Sequence, residues 1–175
     1  LGTRTWRIGV SSHKVDKKIE KLHNGLCHDT KFRVRAAMWY PNSTMKETPH
    51  FAIKDGLATV DRDFGNTCSI DELKLLFKDF FKYPETKLKI IEKIQRLKSS
   101  LIELREHYGI RFYCSSLLIV YDDKHPDSFD VRILDFEKCY VGVEMECHKY
   151  KEPIENTEDE VVDALANIIN LIQLS

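Results

Sequence analysis

The chain has 175 residues, of which 42% are hydrophobic and 31% charged. That suffices for one domain with a sizeable core and excludes a disordered chain. A formal net charge of -1 excludes a globally basic protein that grips nucleic acid through its phosphates, so no nucleic-acid partner is expected. No apolar run reaches the roughly 18 residues of a membrane span, so no transmembrane segment or leader peptide is expected.

Five cysteines (Cys27, Cys68, Cys114, Cys139 and Cys147) are an odd number without paired short spacings. They read as free thiols in a reducing compartment rather than as a disulfide framework. Cys139, Cys147 and His148 lack metal-ligand spacing and a fourth ligand, so a zinc site is not expected.

In chain order, residues 14–24 read as a short basic helix, with Val15, Ile19 and Leu22 at helical spacing and Asn24-Gly25 as the stop. Lys17, Lys18 and Lys21 share one face of it. Like charges there cost helix stability, which an anionic ligand would offset. A solvated lysine face is the other reading. Residues 32–40 read as a strand ended by Pro41-Asn42-Ser43, and 44–66 as a loop-rich stretch with a short strand at 51–54.

Ser69 with Glu72 forms a capping box that opens a helix running to about Lys82, with Leu73, Leu76, Phe77 and Phe80 on one face. Pro84 separates it from a longer helix at about 86–107. There Leu88, Ile91, Ile94, Leu97, Leu101 and Leu104 form an apolar stripe suited to core packing. Tyr108-Gly109 ends that helix.

Two apolar strands follow, 111–121 and 130–136, joined by a polar turn. Ser116 lies inside the first and Asp135 closes the second. A hydroxyl and a carboxylate on neighbouring strands make a hard-oxygen pair, the chemistry that a magnesium–nucleotide complex needs. The same pattern also reads as an ordinary buried hairpin that ends in Asp. A second capping box, Thr157 with Glu160, opens a terminal helix that buries Val161, Val162, Leu165, Ile168, Ile169 and Ile172. The order helix, strand, helix, helix, strand, strand, helix is an α+β layout.

Ser115-Ser116-Leu117-Leu118 and Leu134-Asp135-Phe136 resemble paired motifs of the inositol polyphosphate kinases. That family includes the inositol trisphosphate kinases, polyphosphate multikinases and hexakisphosphate kinases. The resemblance continues through Phe32-Arg33-Val34, Asp63-Phe64-Gly65, Phe80-Phe81 and Glu158-Asp159 with Leu165-Ala166-Asn167-Ile168. Leu1-Gly2-Thr3-Arg4 resembles the tail of the family's Pro-x-x-x-Asp-x-Lys-x-Gly signature.

The resemblance implies that 1–175 is a single C-lobe-like domain of the protein-kinase/ATP-grasp-like kind, an antiparallel sheet flanked by helices. The N-lobe and the signature's Asp and Lys would lie outside it. It implies phosphoryl transfer from ATP to an inositol polyphosphate with Mg2+, in the cytoplasm, the nucleus or both. Asp135 would be the catalytic residue and metal ligand, and Ser116 would add a hydroxyl to the same metal and nucleotide site. Lys138, with Lys17, Lys18 and Lys21 on a substrate-facing helix within 10–25, would contact substrate phosphates.

Some residues depart from the family pattern. Glu137 stands beside the expected phosphate site, Glu160 and Asp163 replace glycines, Ala36 replaces another, and 142–156 reads as an inserted loop. These departures motivate an alternative: a catalytically inactive module, derived from the kinase, that binds inositol phosphates or a protein.

Overall fold

A computed structural model describes residues 2–4, 32, 34–39, 51–60, 64, 68–112, 115–136, 139–140 and 160–175. Three antiparallel sheets and three helices are formed among them. The main sheet has the order β1-β6-β7, from Gly2–Arg4, Ser116–Tyr121 and Phe129–Leu134. A second sheet joins β2 (Ala36–Trp39), β4 (Leu57–Val60) and β3 (Phe51–Lys54) in that order. A short pair joins β5 (Arg111–Phe112) to β8 (Cys139–Tyr140). The helices are α1 (Ile70–Phe80), α2 (Pro84–Tyr108) and α3 (Glu160–Gln173).

The start of α1 is the expected capping box: Ser69 Oγ accepts from the Glu72 N–H at 3.2 Å, and the Ser69 N–H donates to Glu72 Oε2 at 2.7 Å. Its four predicted core residues are all buried. The helix ends two residues earlier than expected, at Phe80. The chain turns out of it there, and Pro84 restarts a helix at the first position of α2. Gly109 takes the left-handed cap (φ 62°), donating its N–H to the carbonyls of Arg105 and Leu104.

The stripe predicted for α2 is corrected at one end. Leu88 is 62% exposed, whereas Thr86, Ile90, Ile91, Ile94 and Leu101 face inward. Thr86, Ile90 and Ile94 recur every four residues on the inward face of α2, which packs against α3, β7 and β5. On α3 all six predicted core positions are buried, joined by Ala164 and Leu171. Its second capping box lies outside the described residues, as does the basic helix of 14–24.

Two strand readings also change. Among the described residues of the 32–40 strand, Ala36–Trp39 form the regular part, with Phe32 and Val34 buried ahead of it. The 111–121 strand is two strands, because β5 pairs with β8 while β6 pairs with β7. β4, unforeseen in the loop-rich stretch, is the partner of both β2 and β3. Asp55 (φ 52°) and Gly56 (φ 78°) make the tight β3–β4 turn, in which both central residues take positive φ.

The far end of the β6–β7 hairpin is strapped to α2. Tyr83 OH donates to the Asp123 carbonyl and Thr86 Oγ1 to the Pro126 carbonyl, each at 2.9 Å. Lys82 pairs with Asp123 and Lys93 with Asp130, each at 2.5 Å, and Lys89 pairs with Asp127 at 2.6 Å. Tyr121 OH donates to the Phe80 carbonyl. The turn end of the hairpin is thereby fixed, which sets the position of the open end where Ser116 and Asp135 lie.

Candidate functional site

The site is built from the register of one hairpin. Ser116, the first residue of β6, pairs with Leu134, the last of β7. Cross-strand partners share a face, so Ser116, Leu118, Val120 and Leu134 lie on one side of the sheet. That side is open: Leu118, Val120 and Leu134 are all exposed. Leu117, Ile119 and Val131 point the other way and are buried in the core.

Strand alternation alone would send the residue after Leu134 to the core face. Asp135 breaks the alternation with a left-handed backbone, φ 67°. A residue with a β-carbon adopts that region rarely, and Asp is among the few that tolerate it. The turn leaves Asp135 exposed, and its Oδ2 accepts a hydrogen bond from Ser116 Oγ at 2.7 Å. The carboxylate is thus neither in the apolar interior nor separated from the hydroxyl expected to accompany it. A second hydroxyl, on buried Ser115, donates to the Asp135 carbonyl at 3.4 Å. Phe136, 52% exposed, rests edge-on against Phe112 with ring centroids 5.4 Å apart.

The pair is an all-oxygen donor set, one carboxylate and one hydroxyl. No group of three or more His, Cys, Asp or Glu that could hold a metal occurs among the described residues. This fits a hard cation that brings most of its own ligands, as Mg2+ does when bound through one or two carboxylates and nucleotide phosphates. It does not fit a resident structural metal.

Lys17, Lys18, Lys21, Lys138 and Glu137 lie outside the described residues, so the expected anion-binding half of the site does too. Two features escaped the sequence reading. One is the positive φ of Asp135, and the other is the bond from Ser115, which sits in the serine pair with nothing in its pattern to separate its task from that of Ser116. No described helix is long and apolar enough to cross a membrane.

Comparison with known proteins adds to this geometry. Residues 1–173 match the family described as inositol polyphosphate kinase. Among solved structures, the chain resembles the inositol phosphate multikinase Ipk2 of S. cerevisiae, solved in complex with ADP and Mn2+. The TM-score is 0.68 at 11% identity, covering 99% of this chain and 76% of the other. It also resembles a structure from protein-engineering studies of an inositol phosphate multikinase, with a TM-score of 0.66 at 15% identity, covering 99% and 77%. No curated protein sequence matches the chain.

Proposed function

Because this chain belongs to the inositol polyphosphate kinase family, we propose that it transfers a phosphoryl group from ATP to an inositol polyphosphate, with Asp135 and Ser116 holding the divalent ion. The observation that carries this reading is the 2.7 Å contact between the Ser116 hydroxyl and the Asp135 carboxylate at an exposed strand end. The ADP and Mn2+ bound by the yeast relative agree with a nucleotide and a divalent ion here.

Bound with the nucleotide phosphates, Mg2+ neutralises charge on the transferring group. This chain's own residues position. Asp135 supplies the anionic oxygen, and Ser116 orients it by a hydrogen bond while offering a second oxygen. The hairpin strap to α2 holds both strands still, and phosphoryl transfer is mostly positioning and electrostatics. The open face that carries Leu118, Val120 and Leu134 runs along the sheet from the oxygen pair, with the Arg132–Asp130 ion pair opposite Leu118 and Val120. Its aliphatic end at Leu118 and Leu134 suits the flat base of a nucleotide. Lys17, Lys18, Lys21 and Lys138 are assigned to the inositol phosphates by resemblance, as compact point charges. The chain's role as the C-lobe portion of such a kinase is part of the same proposal.

The test is transfer of label from γ-labelled ATP to a panel of inositol polyphosphates, with Asp135→Asn as control. Transfer that is lost in Asp135→Asn supports the reading. Transfer at equal rates in both removes Asp135 from the metal site. Calorimetric binding of inositol hexakisphosphate without any transfer would favour the inactive-module alternative.

A further inference from the structure

We propose that Ser115 is a positioning residue for Asp135: its buried hydroxyl fixes the left-handed turn that brings the carboxylate to Ser116. The inference rests on the reading of Asp135 as the group that holds the metal. Continuing the β6–β7 register one step beyond Ser116 and Leu134 sets Ser115 opposite Asp135. Ser115 is 3% exposed on the core side, and its Oγ donates to the Asp135 carbonyl at 3.4 Å.

A hydroxyl in an apolar core costs free energy unless it is hydrogen-bonded. The acceptor that Ser115 reaches is the backbone of a residue with a strained φ. Two consecutive hydroxyls therefore hold one residue at two points, Ser116 at the carboxylate and Ser115 at the carbonyl. The carbonyl bond restrains ψ of Asp135. Released from it, the chain relaxes toward the extended conformation that continues β7, and strand alternation then turns the carboxylate toward the core, away from Ser116. Ser115 touches neither metal nor substrate in this account. It acts through the backbone of Asp135.

The readout is Mn2+ affinity of the whole chain in the presence of ADP, measured by loss of the free-ion electron paramagnetic resonance signal. Wild type, Ser115→Ala, Ser115→Thr and Asp135→Asn are compared, each first shown to be folded by circular dichroism. Asp135→Asn is expected to abolish binding. Ser115→Ala is expected to weaken it about fivefold, the scale of one modest hydrogen bond. Ser115→Thr, which keeps the hydroxyl, is expected to restore affinity to within about twofold of wild type. A merely structural role would lower the melting temperature and leave the affinity of the folded protein unchanged.

Loss in Asp135→Asn with full affinity in Ser115→Ala overturns the positioning role and leaves the metal reading standing. Equal weakening in Ala and Thr also overturns it, because packing rather than the hydroxyl would then govern the site. Unchanged binding in Asp135→Asn removes the metal reading and this inference with it. Should Ser115→Ala fail to fold, Ser115→Cys, of similar size with a weak donor, replaces it, and unchanged affinity there counts against the proposal.

Discussion

Replacing Asp135 by glycine and by alanine tests the backbone on which the site depends. Both substitutions remove the carboxylate and its bond from Ser116, so that loss cancels when the two variants are compared. What remains is the conformation. At φ 67° a β-carbon costs about 1–2 kcal/mol, which alanine bears and glycine does not. Glycine loses roughly 0.5–1 kcal/mol more backbone entropy than alanine on folding. The difference leaves Asp135→Gly more stable than Asp135→Ala by about 0.5–1 kcal/mol, the reverse of their usual order in regular structure. Urea unfolding is the assay. With a slope of about 2 kcal/mol per molar, the midpoint of the glycine variant lies on the order of 0.3 M higher. Neither variant is expected to transfer phosphate if Asp135 holds the divalent ion as proposed. A midpoint for alanine equal to or above that of glycine would refute the left-handed turn and with it the route by which the carboxylate reaches Ser116.

Phe77, wholly buried between α1 and the core, is expected to cost about 3–5 kcal/mol on change to Ala, read by the same urea transition. A loss under 1 kcal/mol would mean that α1 does not pack as described. Gly56→Ala meets no neighbouring atom, so only its φ of 78° opposes it, and a loss of about 1 kcal/mol is expected. No loss would argue against the tight β3–β4 turn. The Lys93 ammonium and then the Arg132 guanidinium hold the Asp130 carboxyl well below the usual carboxylate range. A depressed value in the folded state gives stability that is present above the unfolded pKa of about 4 and lost as the pH falls toward the folded one. Between about pH 4 and pH 2 the wild type should therefore lose stability more steeply than Asp130→Asn. Parallel curves would dissociate Asp130 from its two cations.

What the sequence made legible was governed by local rules. The Ser69–Glu72 box needs only four residues, and the inward face of α3 repeats cleanly, so both were readable. So was the meeting of Ser116 and Asp135, because a hairpin between two apolar runs leaves few registers that bury Leu117, Ile119 and Val131 together. The split of 111–121 was hidden, since β5 leaves β6 to pair with β8, a partner over 25 residues onward that no local pattern announces. β4 had a readable local sign in Asp55-Gly56 between two short strands, but its second pairing, with β2, is a long-range choice that no local pattern announces. At the start of α2, Leu88, Ile90 and Ile91 point in different directions, and periodicity alone does not choose among them. The packing against α3 and β7 does. The left-handed turn at Asp135 had no periodic signature. It is visible only once the register shows that alternation points the other way.

The most direct test of the central claim is a crystal structure of this chain grown with ADP and Mn2+, with anomalous diffraction used to locate the ion. An anomalous peak in contact with an Asp135 carboxylate oxygen, with Ser116 beside it and nucleotide phosphates completing the shell, is the predicted result. Nucleotide bound with the ion elsewhere, and the Asp135 carboxylate still bonded to Ser116 without an ion, would contradict it.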